Sequence, residues 1–97
     1  MRVRYHALAR VDVVEILTYY EREAGLETAV DFFRELSRGI RQIKERPNAF
    51  PEIRRGVRRY LLHRFPYRID YEIIDPHTIK LLVIKHQSRD PDFGLDR

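Results

Sequence analysis

The sequence predicts an α+β fold in which a helical hairpin covers one face of a small antiparallel sheet. Up to Pro47 the apolar residues recur every three or four positions, which is typical of amphipathic helices. After Pro51 they alternate every second position, which is typical of strands. The chain has 97 residues, enough for one core. We therefore expect a single domain over residues 1–97 with the element order β-α-α-β-β-β in two layers.

The first elements are a short strand and a helix. Val3–His6 is a candidate strand, although it is brief. Ala7–Ala24 has helical spacing, and its pattern places Asp12 on the side that faces away from the apolar stripe. Gly25 is suited to ending this helix, because glycine adopts the backbone conformations found at helix ends.

The second helix has the clearest apolar pattern in the chain. Thr28 and Asp31 resemble a capping box, which predicts a start near these residues, and Pro47 predicts the end. With a connection this short, the two helices should form an antiparallel hairpin. The stripe predicted to face the sheet consists of Leu26, Ala29, Val30, Phe33, Leu36, Ile40 and Ile43.

Three further strands are predicted in the second half. Val57–Arg64 is the first of them, and Pro66 marks a strand end, an edge or a bulge because it lacks an N–H group. Arg68–Ile74 alternates regularly, Asp75–Thr78 forms a turn, and Ile79–His86 is apolar on both faces as a central strand would be. The sheet face without helices is then expected to be uncovered and to carry Arg68, Asp70 and Glu72.

The positive charge is concentrated in the second half of the chain. The net charge is +4, and residues 53–97 alone hold ten basic and six acidic side chains. No acid occurs between Ile53 and Ile69, and this bias indicates a polyanionic partner, either nucleic acid or an acidic protein segment. The candidate nucleic-acid-binding residues are Arg58, Arg59 and Arg64. The alternative is an arginine-rich surface that is merely solvated.

Several site classes are excluded by composition. The chain has no cysteine, which excludes disulfides and thiolate chemistry, and its four histidines lack metal-ligand spacing. We therefore expect no metal and no cofactor. No apolar run approaches the roughly 20 residues of a membrane span, and no secretory leader is recognisable. A cytoplasmic protein that does not enter membranes is the expectation.

Three tracts resemble the RelE/ParE superfamily of type II toxin–antitoxin toxins: Asn48–Pro51, Phe65–Ile73 and His86–Pro91. The resemblance covers nearly the whole chain. It implies a small toxin that a cognate acidic antitoxin wraps and neutralises, within a toxin–antitoxin hetero-oligomer. The superfamily contains ribosome-dependent mRNA endonucleases and inhibitors of DNA gyrase, and the fold alone does not distinguish them.

In the RNA-cleaving branch, the resemblance implies Arg68 and Arg89 as phosphate ligands and His86 as a base or acid. Cleavage also requires a proton donor for the leaving oxygen. The C-terminal segment offers Phe93 where these nucleases carry tyrosine or histidine, and phenylalanine has no proton to donate. The ending His86–Pro91 is closer to the ParE-like branch, so gyrase inhibition by direct binding is preferred. An mRNA endonuclease acting on the ribosome is the alternative, and a non-toxic nucleic-acid-binding module is a lesser one.

Overall fold

The computed structural model describes residues 1–97 and contains two helices and five strands. Both helices contact the same side of the sheet, so the predicted α+β class is confirmed. No helix is long and apolar enough to cross a membrane. The elements are β1 (Arg2–Tyr5), α1 (Ala7–Ala24), α2 (Leu26–Glu45), β2 (Glu52–Arg54), β3 (Val57–Leu61), β4 (Tyr67–Asp75) and β5 (Thr78–His86).

The sheet is mixed, with the strand order β1-β5-β4-β3-β2. Strands β3 to β5 are antiparallel as predicted, and β2 adds to them antiparallel to β3. Strand β1 instead pairs in parallel with β5, with Arg2 opposite Thr78. The short strand β2 was not predicted. Strand β3 ends at Leu61, earlier than predicted, because the chain turns back so that the N–H of Leu62 donates to the carbonyl of Tyr67 at 2.9 Å.

The helix ends differ from the prediction in one place. His6 begins α1 by accepting a hydrogen bond from the N–H of Leu8 on Nδ1 at 3.0 Å. Gly25 ends it with a φ of 97°, which favours glycine, and α2 then starts at once. The predicted capping box at Thr28 is wrong, because its hydroxyl lies inside α2 and donates to the carbonyl of Ala24 at 3.4 Å.

The rotation of α2 about its axis also differs from the prediction. The residues that face the sheet are Phe32, Leu36, Gly39 and Ile43, all buried. Leu36 and Ile43 are buried as predicted, whereas Phe33, which was also predicted to be buried, is 51% exposed. Gly39 explains the seating, because a Cβ there would lie 2.9 Å from Cε1 of Tyr60, closer than packed side chains tolerate. The helix therefore approaches the sheet most closely at its glycine.

Candidate functional site

The C-terminal segment, residues 87–97, crosses the sheet face that lies opposite the helices. Leu95 packs there on Val57, Leu82 and Val83 in a second, smaller apolar cluster. The prediction of an uncovered face at Arg68 and Asp70 is therefore wrong, since these side chains are 1% and 0% exposed.

Arginine side chains fasten this segment through one buried carboxylate. Asp70 accepts hydrogen bonds from Nε of Arg59 at 2.7 Å and from Nε of Arg68 at 3.2 Å. The other nitrogens of Arg68 donate to the carbonyls of Arg89 and Asp90, at 2.8 and 2.9 Å. Arg59 donates to the carbonyl of Pro91 at 2.8 Å. Arg68 therefore cannot contact a phosphate unless the C-terminal segment moves.

A second buried carboxylate holds the end of the segment. Asp12 is 2% exposed, although the helical pattern predicted that it faces away from the core. It accepts from Nη1 of Arg97 at 2.6 Å and from the N–H of Ile84 at 3.0 Å, and Nζ of Lys85 lies 3.1 Å away. The N–H of Ile84 lies beyond the part of β5 that β1 covers, so Asp12 also satisfies a free donor of the sheet edge.

The three candidate catalytic residues are not brought together. His86 lies opposite Tyr67 on β4, and the centroids of their two rings are 5.4 Å apart. The Tyr67 ring is on the helix side of the sheet. Arg68 is the next residue along β4 and projects from the opposite face. Arg89 meets Arg68 only through its backbone carbonyl, and its guanidinium carbon lies 4.2 Å from the ring centroid of Phe93. No single phosphate can contact all three side chains.

The environment of His86 is that of a turn. Its Nδ1 accepts from the N–H of Ser88 at 3.0 Å and also lies 2.8 Å from the Ser88 hydroxyl. Burial and a hydrogen bond with Tyr20 raise the pKa of the neighbouring Tyr67. That phenol therefore stays protonated throughout the physiological range and offers no phenolate near His86.

The candidate nucleic-acid-binding arginines are also dispersed. Arg58 donates to the carbonyl of Phe50 at 2.7 Å, on the helix side of the sheet, and Arg59 belongs to the Asp70 network. Arg64 is exposed and makes no ion pair; its guanidinium carbon lies 5.9 Å from the ring centroid of Phe65. Most arginines between Ile53 and Ile69 therefore contact groups within the chain.

An apolar groove that was not predicted from the sequence lies between the two helices. We call it the hairpin groove and define it by Val14, Leu17, Leu26, Val30 and Phe33. Val14, Leu26 and Phe33 are 61%, 65% and 51% exposed. Two hollows of about 260 and 390 Å³ lie along it and share Phe33 as a lining residue. Contiguous exposed apolar surface of this kind marks sites of protein association. The sequence signal was an apolar stripe on α2 wider than the sheet can bury.

A family model described as the ParE toxin of the type II toxin–antitoxin system parDE matches residues 3–91. Among solved structures, a chain titled "Chromosomal ParDE TA system from P. aeruginosa" is similar, with a TM-score of 0.69. It shares 22% sequence identity, and the alignment covers 89% of this chain and 95% of that chain, which shows a common fold. No curated protein sequence matches the chain.

Proposed function

The chain belongs to the ParE toxin family of type II toxin–antitoxin systems, and on that premise we propose that it inhibits DNA gyrase by direct binding. The observation that carries the proposal is the family match over residues 3–91. The geometry supports a binding toxin over a nuclease. RNA cleavage requires a base, an acid and cations around one phosphate, and here Arg68 and His86 lie on opposite faces of the sheet.

The C-terminal segment points to the same conclusion. Phe93 stands where a nuclease would need a proton donor, and the guanidinium groups of Arg89 and Arg97 both lie against its ring. The guanidinium of Arg68 donates hydrogen bonds to the carboxylate of Asp70 and to two backbone carbonyls. Contacts within the chain hold these side chains in place, which suits a surface that recognises a protein target.

We further propose that a cognate antitoxin neutralises the toxin by occupying the hairpin groove. An amphipathic helix would bury its apolar face against Leu26, Val30 and Phe33, as helices do in apolar grooves. The chain carries a net charge of +4, so an acidic antitoxin is electrostatically complementary and would associate faster than a neutral one.

The target is tested with purified protein. We expect the chain to block supercoiling of plasmid DNA by gyrase and to leave message on programmed ribosomes uncut. His86→Ala should retain most of the inhibition, since its side chain makes only local contacts. Site-specific cleavage of ribosome-bound message, with gyrase unaffected, would overturn the proposal and establish the nuclease alternative.

The antitoxin site is tested separately from the target. Phe33→Asp places a charge in the hairpin groove at a residue that is already half exposed, so the variant should fold and remain toxic. Co-expression of the antitoxin should rescue cells that produce the parent and fail to rescue cells that produce Phe33→Asp. Arg41→Asp, at an exposed position outside the groove, is the control and should be rescued like the parent. Equal rescue of both variants would place the antitoxin elsewhere.

A further inference from the structure

The part of the open sheet face that the C-terminal segment leaves free carries three cations, Arg2, Arg4 and Lys80. Val3 and Tyr5 pack against the main core, so the arginines that alternate with them on β1 project from the face without helices. Lys80 lies directly beside Arg4 on β5 and therefore shares its face. We call these three residues the cationic strip.

Contacts within the chain account for only part of the charge of the cationic strip. Like charges directly opposite one another on adjacent strands destabilise a sheet, and Arg4 and Lys80 have this arrangement. None of the three forms an ion pair, whereas Arg59, Arg68 and Arg97 of the covered half each do. Glu72 lies directly opposite Lys80 on β4 without forming an ion pair, and the charge of Arg2 helps to lower the pKa of Asp75. An anion outside the chain would satisfy this charge.

The spacing of the strip matches a phosphate backbone. Adjacent strands lie about 4.8 Å apart and alternate residues of one strand about 6.6 Å apart, so three cations span a few consecutive phosphates. None of the hollows in the structure is lined by a residue of the strip. Protein partners are usually anchored by aromatic or aliphatic side chains in pockets, whereas phosphates need only accessible cations.

We propose that the cationic strip binds the phosphate backbone of nucleic acid independently of base sequence. Phosphate contacts of arginine and lysine carry no sequence information, and the strip offers no asparagine or glutamine that would read adenine. This binding is additional to gyrase inhibition and does not depend on it. It is located away from Arg58, Arg59 and Arg64, the residues to which the sequence assigned nucleic-acid binding.

The test measures binding of the full chain to a short fluorescent duplex by anisotropy, at increasing salt. Each phosphate contact contributes about −0.9 to the slope of log K against log salt, so three contacts predict a slope of about −2.7. Affinity should then fall by about 40-fold between about 50 and about 200 mM salt. The strip variant, Arg2→Gln, Arg4→Gln and Lys80→Gln together, should lose this binding and most of the slope.

A control variant separates the strip from net charge. Arg22→Gln, Arg41→Gln and Lys44→Gln remove the same charge from exposed positions that make no ion pair, and this variant should bind within about two-fold of the parent. Glu72→Gln should bind more tightly, because it removes the acid beside Lys80. The strip variant should melt close to the parent, because its substitutions remove one repulsion together with the attractions of Lys80 to Glu72 and of Arg2 to Asp75. A thermal melt of each variant separates a loss of binding from a loss of fold.

Three results would overturn the proposal. The first is an equal loss of affinity in the strip and control variants, which would show a response to net charge alone. The second is a poly-glutamate peptide that binds the strip as tightly as the duplex does, which would indicate an acidic protein segment as the partner. The third is an absence of duplex binding by the parent at the lowest salt concentration.

Discussion

Two adjacent phenylalanines on α2 provide a matched test of how this helix is seated on the sheet. Phe32 is fully buried, and its ring centroid lies 5.7, 5.5 and 5.2 Å from those of Tyr20, Phe65 and Tyr67. Phe33 follows it in the chain and is 51% exposed in the hairpin groove. Substitution of each by alanine removes the same atoms from the same helix, so differences in intrinsic helix propensity cancel.

The two substitutions should differ clearly in cost. Truncation of a buried phenylalanine costs about 3–5 kcal/mol, from lost transfer free energy and from the cavity left behind. Phe33 buries about half of its side chain, so Phe33→Ala should cost about 1 kcal/mol. A domain of this size loses about 4–8 °C of melting temperature per kcal/mol. Phe32→Ala should therefore melt at least about 12 °C below the parent, against about 4–8 °C for Phe33→Ala.

Thermal and urea unfolding, followed by circular dichroism, measure both costs, and a pull-down with the antitoxin measures binding. We expect the order of effects to reverse in the pull-down, because Phe33 contributes surface to the hairpin groove and Phe32 does not. The reasoning is refuted if Phe33→Ala is the more destabilising change. That result would mean that α2 is rotated as the widest apolar stripe of the sequence predicts.

Three further predictions concern the C-terminal segment and the core. Asp12→Ala leaves two buried or half-buried cations without a partner and should cost about 3–5 kcal/mol in urea unfolding, whereas Glu15→Ala, whose partner is 4.0 Å away, should cost under about 1 kcal/mol. Gly94→Ala should loosen the C-terminal segment, because the φ of Gly94 is 76° and an added Cβ would lie 2.7 Å from Cγ2 of Val83. We expect faster proteolysis near the C-terminus, and an unchanged rate would contradict the prediction. Burial raises the pKa of Tyr71 from 10.0 to about 12, so this phenol ionises at a lower pH in the unfolded chain than in the folded one. The free energy of unfolding should therefore fall as the pH rises from 10 to about 12. The fall should be steeper in the parent than in Tyr71→Phe.

The elements set by local pattern were predictable from the sequence. The bounds of α1 were predicted as Ala7–Ala24 and are confirmed, because one apolar stripe and Gly25 define both its face and its end. Strands β4 and β5 were predicted to within one residue, since their alternation and the turn between them are local signals. The position of His86 at the end of β5 followed from the same pattern.

The features set by distant contacts were not predictable. The parallel pairing of β1 with β5 joins the two ends of the chain, and no turn between them defines its register. The burial of Asp12 depends on the N–H of Ile84 and on Arg97, which reach it only once the sheet and the C-terminal segment are in place. The helical pattern reflects only that Asp12 is polar, so it predicted an exposed side chain. It contains no information about partners that are distant in the sequence.

The arginine content has a structural cause that limits its use as a sign of a partner. The C-terminal segment is irregular, so the carbonyls of Arg89, Asp90 and Pro91 lack the ladder partners that a strand would supply, and arginine side chains donate to them instead. Arg68 supplies two of them while pairing with a carboxylate, which a lysine, with its single compact charge, does less readily. The cations in the acid-free run are therefore required largely by the fold. Only cations that remain without an ion pair after these contacts are made indicate an external anion. On the sheet, those cations are the residues of the cationic strip.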